Sequence, residues 1–184
     1  MATLATTNLK HASSSSNNIV LASDGTTYIP GHIVQVVSAN TNQVASATNT
    51  TYVDSNLTAT ITPKSTSSKI LVLINQHITQ IHPSSSISAI YGGIKVVRTI
   101  SSTNETIHEP PANTGPFEIG AIGQFIGRQS FTIEDSPNST SSVVYKTQIA
   151  AYSTGVGTMY AQYEETGGAA IDGKSYITLM EIAA

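Results

Sequence analysis

The sequence predicts an all-β protein, an antiparallel β-sandwich of the jelly-roll kind, and three observations predict it. No long stretch carries the three-four apolar stripe of an amphipathic helix. Seven or eight short runs rich in β-branched residues recur instead, separated by clusters of Gly, Pro, Ser and Asp. Serine and threonine together fill about a quarter of the 184 residues, while charged residues make up only 10%, against roughly 25% in an average domain. Hydroxyls and amides rather than charges therefore meet water, as suits the outward faces of pleated strands.

The first thirty residues stand apart from the rest. Their large side chains are few (Leu4, Leu9, Ile19, Val20, Leu21, Tyr28 and Ile29) and are set among serines and asparagines. Burying so few cannot offset the entropy of ordering thirty residues. A hairpin over 18–22 and 26–29, turning at Asp24-Gly25, is marginal by itself. The expectation is that residues 1–30 form an attachment or trimerisation segment. Leu9, Ile19, Val20, Leu21, Tyr28 and Ile29 would then contact sister subunits or a larger particle, with residues 31–184 forming the head.

Within the head, His32–Ser38 and Leu57–Thr62 read as strands, and "TPKSTSS" at 62–68 reads as a turn. "SKILVLINQHITQI" over 68–81 is apolar on both faces in its first half, which predicts a long central strand. Ile87–Ile100 follows, and its Gly92-Gly93 predicts a bulge or a bend where backbones approach closely. Ser101–Pro116 reads as a long exposed loop, and "GPFEIGAIGQFIGRQ" after it as irregular. The remaining strands are Gln129–Ile133, Ser142–Tyr152, Thr158–Tyr163 and Ser175–Ile182. In the second of these, Val143, Tyr145, Thr147, Ile149 and Ala151 alternate with Lys146 and Gln148. Tyr145, Tyr152, Tyr160, Tyr163 and Tyr176 crowd the last three runs, predicting one aromatic sheet whose tyrosines fill the core or a subunit seam.

Composition also excludes function classes. There is no cysteine, hence no disulfide or thiolate metal site. The start "MATLATTNLK" does not read as a secretory signal, and the longest aliphatic run, Ile70 to Ile74, is far short of a membrane span. Eight scattered Lys and Arg, a net charge of −3 and a pI near 5.9 offer no basic stripe for nucleic acid. Neither nucleic acid nor membrane is expected as a partner.

Catalytic and metal-binding patterns are thin. The histidines are His11, His32, His77, His82 and His108. His77 and His82, five apart in a strand, point to opposite faces and cannot share a metal. No Gly-x-Ser-x-Gly elbow accompanies the many serines. A glycosidase needs two facing acids, and the candidates are Glu118, Glu134, Asp135, Glu164, Glu165 and Asp172. They fall in loops or at strand ends, where Glu134-Asp135 and Glu164-Glu165 read as solvated acids. Asp24-Gly25 and Asp172-Gly173 read as turns rather than calcium loops. The sequons at Asn49, Asn56, Asn104 and Asn138 are what a hydroxyl-rich chain produces by chance. No enzyme activity, no cofactor and no metal site is expected.

Three stretches carry a resemblance. "TTYVDSNLTATITPKSTSSKILVLINQ" (50–76), "EDSPNSTSSVVYKTQ" (134–148) and "SYITLMEIAA" (175–184) resemble the head domains of small tail-fibre-like or structural virion proteins of tailed, often aquatic, bacteriophages. "LKHASSSSNNIVLASDGTTY" resembles the segment that precedes such heads. The middle, about 84–128, matches nothing in that group. The resemblance implies a trimeric β-sandwich appendage, similar in architecture to tumour-necrosis-factor or C1q heads, mounted by its N-terminal segment. It implies a virion protein assembled in the host cytoplasm, without enzymatic activity. Within it a tail-fibre or spike role, binding a host-surface receptor through loops such as Ser101–Pro116, stands beside a capsid-decoration or head-fibre role. The brevity of the thirty-residue stem counts for the second. A free lectin-like module is the reading outside the virion.

Overall fold

The structure, a computed structural model, describes residues 8–15, 19–21, 27–29, 31–82, 90–110, 117–119, 123–151, 157–163 and 173–184. Where the sequence alternates, the chain is extended. The strands among these residues are β1 (Asn8–Leu9), β2 (Ile19–Leu21), β3 (Thr27–Tyr28), β4 (Ile33–Thr41), β5 (Ala45–Ala47), β6 (Val53–Ile61) and β7 (Lys69–His82). They continue as β8 (Ile90–Ile100), β9 (Thr103–His108), β10 (Phe117–Ile119), β11 (Gly123–Asp135), β12 (Val143–Ala151), β13 (Thr158–Ala161) and β14 (Ser175–Ile182). No helix occurs among the described residues.

Strand pairing gives the topology. β4 pairs antiparallel with β14, β6 with β12, β7 with β11, and β8 with β9. First with last, second with second-last, and so inward is the pairing of a long hairpin rolled into two sheets, a jelly roll. One sheet runs β4-β14-β7 with β11 on the far side of β7; the other runs β6-β12-β8 with β9 and β10 along the free edge of β8. β7 outreaches β14, which covers Lys69 to Asn75, so β13 takes over at Ile78 to Ile81 and carries β5 beside it. The fold is thus the expected antiparallel β-sandwich.

The inward residues follow the period of two. Leu57, Ala59 and Ile61 of β6, Ile70, Val72 and Ile74 of β7, Val96 of β8, Val143 and Tyr145 of β12, and Ile177 and Leu179 of β14 form one buried cluster. Ile78, Ile94, Ile149, Ala151, Met159 and Ala161 form a second. Between them lies a polar layer. Ser55, Gln76 and Thr147 occupy the intervening inward positions of β6, β7 and β12 and are fully buried. Thr147 Oγ1 donates to Gln76 Oε1 at 2.7 Å, and the Ser55 and Thr147 hydroxyls bond each other. Every member has a partner, so the layer does not carry the penalty of an orphaned buried dipole.

Several expectations are corrected. Ser101–Pro116 is not one loop: Ser101 and Ser102, at φ 48° and 68°, make a two-residue turn, and Thr103–His108 returns as β9. Two positive φ values are what a tight type I′ hairpin needs, and serine supplies them here in place of the usual Asn-Gly. The stretch expected to be irregular contains β10 and most of β11, which pairs with β7 without interruption from Gly123 to Asp135. Gly92 and Gly93 make no bulge, since β8 runs in continuous register with β12. Gly92 instead makes room for the facing sheet. A Cβ there would lie 2.5 Å from Gln80 Nε2 and 2.6 Å from Met159 Sδ. Nor do the tyrosines share a sheet. Tyr145 is buried on β12, whereas Tyr160 and the exposed Tyr176 belong to the sheet of β7. Tyr152, the turn at Asp24-Gly25, Asp172, Glu164 and Glu165 lie outside the described residues.

Gln80 faces Gly92 from β7 with no exposure, and among the described residues neither its amide oxygen nor its nitrogen has a partner. Methionine matches its length and brings no polar atom to desolvate. Gln80→Met is expected to raise the free energy of unfolding by about 1 kcal/mol. Urea melts of the two proteins measure it, and a loss of that size would mean that interior water satisfies the amide.

Candidate functional site

Among the described residues the molecule offers one buried ionic cluster and two outer sheet faces of unlike character. The cluster lies where the free edges of the two sheets meet. Arg98 of β8 and Tyr145 of β12 point inward from one sheet, and Asp135 ends β11 in the other. Arg98 Nη1 donates to both Asp135 carboxylate oxygens, at 2.7 and 2.8 Å, and Tyr145 Oη donates to Oδ2 at 2.6 Å. Arg98 Nη2 reaches Glu105 on edge strand β9. Burial alone would lower the guanidinium's pKa, but hydrogen bonds and charge from Asp135, then Glu105, raise it. Burial holds the Tyr145 phenol far above its ordinary 10.0, and its bond to Asp135 acts in the same direction.

This arrangement is a clamp rather than a catalytic pair. Both Asp135 oxygens are already engaged by groups that stay protonated, which leaves no carboxylate poised to accept or give a proton. The expected solvated pair Glu134-Asp135 is therefore split by strand alternation. Glu134 lies outward, exposed and 2.5 Å from Lys69 Nζ, while Asp135 turns inward. Glu118 lies on β10. Among the described residues no cluster of histidine, aspartate or glutamate has metal-binding geometry.

The outer face of the β7 sheet is built from cross-strand rows: Val36, Met180, Leu71 and Glu134; then Ser38, Thr178, Leu73 and Thr132; then Asn40, Tyr176, Asn75 and Ser130. Val36 is 53% exposed, Tyr176 41% and Ile126 39%. Leu73, Asn75, Ser130, Thr132, Tyr176 and Thr178 enclose a shallow groove of about 330 Å³. Its polar groups bond one another: Ser38 with Thr178 at 3.0 Å, and Asn75 Nδ2 to Ser130 Oγ at 2.7 Å. The charges lie at its margins, where Lys69 pairs with Glu134 and Arg128 donates to Asn75 Oδ1 and the Lys174 carbonyl, both at 2.8 Å.

The opposite face, on the β12 sheet, is charged. Asp54 accepts from Lys146 Nζ at 2.9 Å and from Gln148 Nε2 at 2.7 Å. Partial burial would raise its pKa, but these two bonds and the lysine's charge outweigh burial and hold the carboxyl below its usual value. Lys95 Nζ sits 4.2 Å from the Tyr52 ring centroid.

The six proposed contact residues fall on the three-stranded sheet β1-β2-β3 or beside it, and no strand of this sheet pairs with the sandwich. Its register sets Leu9 opposite Ile19, and Val20 between Asn8 and Tyr28. Leu21 ends β2 opposite Thr27. Leu9 is 40% exposed and Ile29, just past β3, 39%. The side chains of Val20, Leu21 and Tyr28 lie outside the described set.

No family model and no curated protein matches the sequence. Among solved structures, a chain of infectious bursal disease virus Gx strain is similar at a TM-score of 0.36 and 9% identity, over 86% of this chain and 40% of that one. A chain of the Gt strain is similar at 0.37 and 8%, over 91% and 47%. This chain thus spans less than half the length of each, and likeness at these scores fixes neither strand order nor function.

The clamp generates a test with two parts. Asp135→Asn leaves the buried guanidinium short of countercharge, with an expected loss of about 3 kcal/mol. For Tyr145 the sign follows from its raised pKa. The unfolded phenol ionises near 10 while the folded one stays neutral, so its contribution is full below pH 10 and is lost as the pH rises beyond it. Urea midpoints taken from pH 8 to 11 should fall more steeply in the parent than in Tyr145→Phe, and equal slopes would refute the assignment.

Proposed function

We propose that the protein is a non-enzymatic structural component of a tailed-bacteriophage virion, a homotrimeric appendage that exposes the sandwich and is attached through residues 1–30. The observation that carries the reading is the contrast between the two sheet faces. Asp54, Lys146, Gln148 and Lys95 suit one face to water. The other offers Val36, Leu71, Leu73, Tyr176 and Met180 among hydroxyls and amides that are mutually bonded. At the centre of this face, away from the marginal Lys69, Glu134 and Arg128, the absence of charge together with half-exposed aliphatic and aromatic groups is the composition of an interface core.

A second copy of the chain fits that face better than a charged partner, because its central rows carry no charge and the marginal Lys69 and Glu134 already pair with each other, so identical subunits meet without a like-charge clash at the centre. The number three comes from the resemblance of residues 50–76, 134–148 and 175–184 to trimeric phage heads. The capsid-decoration reading is favoured by the folded-back meander of β1, β2 and β3, which suits a compact mount better than a shaft. In either role the head faces outward, where it is available to a host surface.

Sedimentation of the purified chain at micromolar concentration should give a trimer. Val36→Lys combined with Tyr176→Lys should weaken association roughly a hundredfold, through the cost of burying charge, with the circular dichroism unchanged. A monomeric parent protein overturns the assembly argument. Immunogold labelling of purified particles separates the two roles: gold at the tail supports the appendage, gold over the shell supports decoration, and unlabelled particles refute the virion reading.

A further inference from the structure

The charged face contains an opening that the assembly role does not use. β6 and β12 pair regularly as far as Thr58 opposite Lys146, and pairing resumes with Asp54 opposite Gln148. Between these points β12 advances two residues and β6 four, so β6 bulges away from its neighbour. Asn56 stands at the bulge in a left-handed conformation, φ 64°, which asparagine tolerates better than other side-chain-bearing residues. Its Nδ2 is turned toward the Gln43 and Val44 carbonyls at 3.4 and 3.3 Å, tying the bulge to the β4–β5 connection.

The bulge opens a cleft of about 340 Å³ lined by Gln43, Asp54, Asn56, Thr58 and Lys146, with Leu57 and Thr147 as its other walls. That volume is at the small end for small-molecule sites, roughly 300–1,000 Å³. Part of its hydrogen-bonding capacity is unspent. Among the described residues, the Gln43 side-chain amide and Asn56 Oδ1 make no bond within the chain. Lys146 has three N–H donors and uses one on Asp54. Thr58 Oγ1 donates to the Tyr145 carbonyl at 3.2 Å and keeps its lone pairs.

We propose that this cleft binds one neutral pyranose unit of a saccharide. Donors and acceptors are mixed within a small space, which matches hydroxyl groups that are each both. The two charges, Asp54 and Lys146, cancel. A phosphate or sulfate would require an uncompensated cation, and an apolar ligand would require more lining than Leu57. A ring of about twelve non-hydrogen atoms at ordinary ligand efficiency binds with a Kd on the order of millimolar, so useful avidity needs several heads together. This deepens the host-surface side of the proposed function and rests on that reading for its biological use, though not for the binding itself.

The test is titration of the isotopically labelled full chain, followed by amide NMR. The probes are methyl glycosides of glucose, galactose, mannose and N-acetylglucosamine, with glucuronate and sialic acid as charged comparators. Saturable shifts at Gln43, Asn56 and Lys146 with at least one neutral glycoside are expected, weakened at least tenfold in Gln43→Ala combined with Asn56→Gly. Glycine keeps the left-handed backbone available, and an unchanged spectrum away from the cleft confirms that the variant is folded. No saturable shift, binding of the acidic sugars alone, or binding that survives the double substitution overturns the proposal. Because this is read on isolated protein, its failure leaves particle labelling untouched, and failure of labelling leaves the cleft untouched.

Discussion

The grip of Arg98 on Asp135 is the constraint around which the sandwich is organised. On one side of the sandwich the two sheets end in edge strands, β9 and β11, that do not pair with each other. With no cysteine to staple them, a guanidinium from β8 holds the carboxylate that ends β11 and also reaches Glu105 on β9. Tyr145 completes the set from β12, the neighbour of β8 on the side away from β9. Such groups are costly to desolvate and are retained only if all are satisfied together. The cluster therefore rejects arrangements in which the sheets slide, since a one-residue slip of β11 would turn Asp135 outward and Glu134 inward.

The same logic recurs deeper in the molecule. A continuous apolar core would tolerate several registers, but this one is divided at Ser55, Gln76 and Thr147, whose partners exist in one alignment only. At the far end Glu181, buried at an inward position of β14, accepts the Lys64 N–H at 2.7 Å and Gln35 Nε2 at 2.5 Å. Lys64 lies in the "TPKSTSS" turn, and Glu181 in "TLMEI". Two segments more than a hundred residues apart thus meet at a carboxylate, and β14 lies beside β7 immediately after that turn. Polar side chains set the registry while aliphatic ones supply the bulk of the burial.

Alternation made most of the architecture legible. β6, β7, β12 and β14 were readable because their inward residues are apolar and turn clusters bound them. Three features hid the rest. The β8–β9 turn is made by two serines instead of glycine, so a hairpin looked like a loop. β11 carries Gly123 and Gly127, which resemble loop punctuation, although its pairing with β7 is unbroken. Asp135 looked solvated beside Glu134 because the edge of β11 could not be placed, and its burial depends on Arg98, thirty-seven residues earlier. The unlike outer faces were invisible for a similar reason. Which of two polar-looking strands sit together is a property of the winding, and no local window contains it. The cleft at Asn56 follows from a mismatch between β6 and β12, a relation between distant segments.

Residue 31 and residue 183 are neighbours. The Gly31 N–H donates to the Ala183 carbonyl at 2.7 Å, and the Ala183 N–H donates to the His32 carbonyl at 2.9 Å. The chain thus enters β4 and leaves β14 at the same pole of the sandwich. A guest peptide fused after Ala184 would therefore emerge beside Gly31 and His32 and crowd the backbone bonds that join them to Ala183. The Ser101-Ser102 turn, an exposed tip between two paired strands, offers a gentler place for a guest peptide.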